Sequence, residues 1–167
     1  HTVGGGLEIA MAADMRVARK GAGKMGLPEV NLGVLPGTGG TQRLCRLVGK
    51  SHAIELMCEG DLFDFEVGMD KNLVNKIIDA ESHADFMTRA LEYAKQFTTP
   101  HKASKAVGNI TRPVQTGSGL PFEQALPVER ALQPLLFPSR AAKEGIAAPV
   151  ARLPVAFPGQ CGRPQRG

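Results

Sequence analysis

The chain has 167 residues, 43% of them hydrophobic and 22% charged, a composition inside the globular range and outside that of disordered chains. Its net charge of +4 suits an anionic ligand but is spread too evenly for a nucleic-acid footprint. No apolar run approaches membrane-span length and no signal peptide is visible; Cys45, Cys58 and Cys161 lack metal-ligand spacing and pairing logic and read as free thiols of a reducing compartment.

The chain begins at His1, directly before a glycine turn where a strand would normally arrive, and so reads as the C-terminal part of something longer. "GLEIAMAAD" predicts a short, mostly buried helix, with strong helix formers and almost no polar face. "MRVAR" predicts a short strand, "KGAGK" a turn, and "MGLPEVNLGVLPGTGG" a largely irregular stretch. "TQRLCRLVGKSHAIELMCEG" predicts helix with a break at Gly49, "FEVGMDKN" a weak helix and "LVNKIID" a β-branched strand. From His83 to Phe97 the apolar spacing of Phe86, Ala90, Ala94 and Phe97 predicts an amphipathic helix. "HKASKAVGNI" and "PFEQALPVERAL" predict further helices, the second damaged by Pro127. After about Ala148 the sequence predicts an irregular, proline-punctuated tail.

Three consecutive glycines stand immediately before the first helix. Without Cβ atoms their backbone lets a ligand approach the N–H groups closely, and the first N–H groups of a helix have no intrahelical partner. Such a terminus can stabilise an anion or a developing oxyanion; a tight turn for close packing is the plainer alternative. A dinucleotide fingerprint starting at Gly4 is excluded because Ile9 stands where its last glycine belongs. A phosphate loop at "GKS" is excluded because Leu44 stands where its first glycine belongs. Glu8 is an acid within an apolar helix, within one turn of Gly5 and Gly6, and is costly to bury unless something offsets it. Exposure at a helix start is its alternative. A second acid, Glu29, follows Pro28, which fixes its own φ and pushes Leu27 toward an extended backbone. Two carboxylates presented in this way can divide the roles of acid and base.

Taken together, "GGGLEIAMAAD", "MGLPEVNLGVLPGTGGTQRLCRLVG" and "NLVNKIID" resemble the crotonase (enoyl-CoA hydratase/isomerase) superfamily, closely from Thr2 to about Asp79 and more weakly to about Ala148. The resemblance implies an α/β fold, a crotonase-like spiral of ββα units, here N-terminally truncated and followed by a helical trimerisation region. It divides the chain at 1–80 (core and site), 81–148 (helical oligomerisation region) and 149–167 (irregular tail). By resemblance, Gly5 is an oxyanion donor to an acyl-CoA thioester, Glu8 activates water and Glu29 supplies a proton. Gly37, taken to start the next helix, is a further dipole contact; Leu27 and Pro28 flank the substrate, and Arg152 is a basic contact to CoA. The implied activity is hydration of an enoyl-CoA, as in fatty acid β-oxidation, with no metal and no cofactor beyond the CoA of the substrate. The implied assembly is a homo-oligomer, trimer or hexamer, in the cytoplasm or, in a eukaryote, the mitochondrial matrix; neither membrane nor nucleic acid is an expected partner. An isomerase or other acyl-CoA enzyme is the nearest alternative, and a non-catalytic oligomerisation or binding protein is an alternative of another class. Isomerases of the family typically keep only one of the two acids.

The departures are equally specific. The family's first oxyanion donor lies in an N-terminal part absent from this sequence, which implies slow hydration by these residues alone. Ala141 replaces the Asp of the family's "S-x-D-x-x-E-G" stretch, and Pro149 stands at the aromatic position of its last helix, leaving that helix in question. Pro127, Pro134 and Pro138 are foreign to the family's helices.

Overall fold

The computed structural model describes residues 1–151 and Phe157. Two compact units divide the chain, His1–Ala90 and Leu91–Gly167, a division that falls later than the 80/81 boundary expected from sequence.

In the first unit, β1 (Thr2–Val3) runs into α1 (Gly5–Ala10), followed by β2 (Val17–Arg19) and β3 (Lys24–Gly26). A 3-10 turn, Glu29–Leu32, and a loop lead to α2 (Gly40–Val48), α3 (Lys50–Glu59), β4 (Phe63–Asp64), α4 (Phe65–Asp70), β5 (Lys76–Ile78) and the start of α5 (His83–Lys95). β1 pairs in parallel with β3, Val3 opposite Gly26, and β3 pairs antiparallel with β4, Met25 opposite Phe63. β2 pairs in parallel with β5, Ala18 opposite Ile77. Parallel neighbours need a crossover; α1 and β2 lie between β1 and β3 in the chain, and α2 to α4 between β2 and β5. Leu7, Met25, Leu27, Leu44, Leu56 and Leu73 are buried together as the core.

Gly49 breaks the helical run at φ +83, as its position predicts, and separates α2 from α3. β3 departs from the turn and irregular course expected of its sequence. A strand of three residues is too short to display alternation, and its pairing comes from β1 and β4 rather than from its own pattern. α1 is likewise shorter than expected and only partly buried: Leu7 and Glu8 are buried, whereas Ile9 is 72% exposed. α5 opens on a capping arrangement that pairs two otherwise orphaned N–H groups. Ser82 Oγ accepts from the Asp85 N–H at 3.1 Å, and Asp85 Oδ2 accepts from the Glu81 N–H at 3.1 Å.

In the second unit, α6 (Ser104–Gly117) packs on α7 (Phe122–Leu132), which leads through a 3-10 turn, Gln133–Leu135, to α8 (Arg140–Ala151). Asn109 Nδ2 donates to the Leu132 carbonyl at 3.2 Å across the α6–α7 pair. The damage expected at Pro127 does not occur: α7 is continuous through it, as α6 is through Pro113. Each proline removes one N–H from its helix, and the remaining ladder carries the chain across. Pro134 sits in the first turn of the 3-10 segment, where the missing N–H has no intrahelical partner to lose, and Pro138 lies in the turn before α8. α8 also runs past Ala148 and through position 149 to Ala151, so the last helix is present and the expected tail does not begin at 149. Apart from Phe157, the tail from Arg152 onward lies outside the described residues.

Candidate active site

The site begins with strand register. Because Val3 lies opposite Gly26, the chain leaves β1 and β3 side by side. One exit enters α1 through Gly4, whose N–H donates to the Gly26 carbonyl at 2.9 Å. The other continues through Leu27 and Pro28 into the turn that carries Glu29. Sequence-distant Gly4 and Glu29 are thereby brought together: a Cβ on Gly4, itself at φ +57, would stand 3.1 Å from Glu29 Oε1. The other oxygen, Glu29 Oε2, is buried and accepts no hydrogen bond among the described residues. A buried polar atom left unpaired costs about 1–3 kcal/mol, so in a folded protein it points to a ligand or to proton chemistry.

Glu8 lies four residues into the same segment and is 2% exposed, which excludes a solvent-facing carboxylate at a helix start. Its Oε1 accepts from the N–H of Thr38 at 2.8 Å and from the N–H of Gly40 at 2.7 Å. Gly40 is the first residue of α2, so its N–H has no partner within the helix, and a carboxylate there is favoured by the helix dipole. These bonds offset the cost of burying the charge. Position 40 has to be glycine, since a Cβ would stand 2.7 Å from Glu8 Oε1 and 2.7 Å from Pro36 Cβ.

Gly5 heads α1, is exposed, and has nothing within 4 Å of where a Cβ would be. Pro28 is half-buried at the N-terminus of the Glu29 turn. Leu27 is 2% exposed and packs in the core, so its side chain is a support for the turn rather than a surface for a ligand. Gly37 is exposed in the loop three residues ahead of Gly40 and does not start α2, contrary to its expected place. The α2 terminus instead faces Glu8 through Thr38 and Gly40. Arg152 lies outside the described residues. Sequence reading missed Thr38 and Gly40 because both act through backbone N–H groups; the signal available was the glycine pair of "PGTGG" just ahead of a helix.

A cavity of about 660 Å³ lies beside the edges of β1 and β2, lined by Leu7, Ala10, Met15, Val17, Met25 and Phe86 among others. Neither glutamate lines it. Among the described residues no group of His, Cys, Asp or Glu could hold a metal ion, and no helix is long and apolar enough to cross a membrane.

Residues 1–160 match the family described as enoyl-CoA hydratase/isomerase. The chain belongs to the enoyl-CoA hydratase/isomerase family. It is 35% identical over 158 residues to a probable enoyl-CoA hydratase of Bacillus subtilis, covering 95% of this chain and 59% of that protein. It is 35% identical over 144 residues to a short-chain-enoyl-CoA hydratase of Clostridioides difficile, covering 86% of this chain and 89% of that one. Among solved structures, an enoyl-CoA hydratase of Geobacillus kaustophilus superposes with a TM-score of 0.83 at 42% identity, over 95% of this chain and 58% of that one. The fold is therefore the α/β crotonase fold. This family member spans about three-fifths of the length of the Bacillus and Geobacillus proteins.

Proposed function

We propose that the chain carries the acid/base half of an enoyl-CoA hydratase site, adding water across the 2,3 double bond of an enoyl-CoA. The observation that carries this reading is the convergence of two glutamates on one glycine-headed segment. Among the described residues, Glu29 lies against Gly4 with one oxygen buried and unpaired, while Glu8 is buried and held through Oε1. Both acids are present, which favours hydration over isomerisation within the family.

Water adds poorly to an isolated double bond. Conjugation to a thioester lets negative charge move onto the carbonyl oxygen as the C3–O bond forms. The Gly5 N–H, at the first position of α1 and so without an intrahelical partner, donates to that oxygen; one such donor is worth about 3–4 kcal/mol in the transition state. Glu8 takes a proton from the attacking water on Oε2, the oxygen not engaged by Thr38 and Gly40. Glu29 supplies the proton at C2. The proton gained by Glu8 and the one given up by Glu29 are exchanged with solvent, so the pair returns to its starting state. The chemistry requires no cofactor beyond the CoA of the substrate. The compartment is the cytoplasm or, in a eukaryote, the mitochondrial matrix, and the assembly is a trimer or hexamer.

Hydration is read from the loss of the conjugated thioester's absorbance with a short enoyl-CoA. In a version restored to full family length, Glu8→Gln and Glu29→Gln should each lower kcat by about a hundredfold or more, with KM changed much less. Near-normal turnover in either variant would remove that residue from the mechanism, and a version restored to full family length that hydrates no enoyl-CoA would overturn the reading.

A further inference from the structure

Arg43 occupies the fourth position of α2, a cation near the positive end of the helix dipole. Electrostatics alone would place it elsewhere, as it places Arg46 in the last turn of the same helix. The Arg43 guanidinium turns back over Gly39, filling the space that a Cβ there would take, and its Nη1 donates to the Thr38 carbonyl at 2.7 Å. Gly39 sits at φ +97, a left-handed conformation that glycine adopts readily.

Thr38 is thus bonded on both of its backbone faces. Its N–H points at Glu8 Oε1 and its carbonyl is held by Arg43. Fixing that carbonyl fixes the plane of the peptide between Thr38 and Gly39. The next peptide, which carries the Gly40 N–H, is held from the same residue's backbone: the Gly39 carbonyl accepts from the Arg43 N–H at 2.9 Å, and the Gly40 N–H is the second donor to the same Glu8 oxygen. Glycine offers the least resistance to rotation at this junction, so the guanidinium tether on one side of it and the helical bond on the other together keep the two donors aimed.

We propose that Arg43 is a positioning residue for Glu8, setting the turn whose two N–H groups hold its carboxylate; its consequence for turnover rests on the hydratase reading above. The role is read first without activity, in the full ¹⁵N-labelled chain, as hydrogen exchange at the Thr38 and Gly40 amides. Arg43→Met should speed exchange at both by about tenfold or more, the factor expected when a local hydrogen-bonded turn loosens. The Leu47 and Val48 amides, further along α2, should be unchanged. Arg43→Lys, which keeps a charged donor, should restore most of the protection, and Arg43→Gln carries the same expectation as Arg43→Met should the apolar variant fail to fold. With a short enoyl-CoA, kcat should fall in Arg43→Met while KM stays nearly constant. Unchanged exchange at Thr38 and Gly40 overturns the proposal, as does equal acceleration at Leu47 and Val48, which would make Arg43 a general support of α2. Absence of hydration by the parent chain bears on the hydratase site alone and leaves the exchange data to decide the role of Arg43.

Discussion

Glu8 and Gly40 form one unit: the carboxylate occupies the space that any side chain at position 40 would need. A Cβ there would stand 2.7 Å from both Glu8 Oε1 and Pro36 Cβ. Gly40→Ala should therefore destabilise the fold by about 1–3 kcal/mol, the usual scale for overpacking a tight site. Gly5 offers the opposite case, with nothing within 4 Å of its missing Cβ and a place inside α1. Gly5→Ala should be neutral or stabilise by about 0.4–1 kcal/mol, through a less flexible unfolded chain. Urea unfolding of the two variants checks both signs, and equal loss of stability in both would contradict the geometry. The two acids were legible in the sequence because each is chemically out of place: Glu8 in an apolar helix, Glu29 in a rigid Gly/Pro loop. Their surroundings were not legible, because Thr38 and Gly40 hold Glu8 through peptide groups that every residue type possesses, and Glu29 approaches Gly4 only where a side chain is missing.

At the scale of elements, α5 depends on a single carboxylate at its first turn. Asp85 accepts from Arg89 Nε at 2.9 Å and from the Glu81 N–H at 3.1 Å. The hydrogen bond from Arg89, chief among these effects, holds the Asp85 carboxyl below its ordinary range. A carboxyl depressed in the folded state stabilises that state above its unfolded value, about 3.9, and the contribution is lost as pH falls through the lower folded value. Amide exchange in the first turn of α5 should thus loosen as pH falls below about 4, relative to the rest of the helix. Asp85→Asn should abolish that pH dependence; a turn that loosens identically in the variant would assign the effect to another group. The elements themselves were unevenly legible. The α2/α3 break followed from Gly49, since a left-handed residue ends a helix whatever surrounds it. β3 and β4 did not, because two or three residues carry no periodicity and take their conformation from partners far along the chain. The continuity of α6 and α7 through Pro113 and Pro127 was hidden for the converse reason: the proline rule is local, and the helix on either side is not.

At the scale of the whole molecule, α5 and α6 bury no side chain completely. Ile110 is 63% exposed, Val114 64% and Phe122 73%. Ile110 and Val114 fall one helical turn apart, so α6 carries an apolar stripe, the kind of surface that marks an interaction site. The chain should self-associate through it. Light scattering coupled to size exclusion should return a mass above that of one chain, and Ile110→Glu with Val114→Glu should shift it toward the monomer. A concentration-independent monomer for the parent chain would refute this. The parallel pairing of β2 with β5 has a consequence of another kind, in time rather than in space. Residues that meet across this ladder, such as Lys20 and Asp79, are 59 positions apart. At about 5–20 residues per second of synthesis, β2 waits roughly 3–12 s for its partner to emerge. Throughout that interval Val17–Arg19 lacks the one strand it pairs with among the described residues, and unpaired backbone of this kind is open to pairing with another chain. Arg16 precedes it, Arg19 closes it and Lys20 follows it, and like charges of that density disfavour the pairing of two nascent copies until Ile77 arrives to close the ladder.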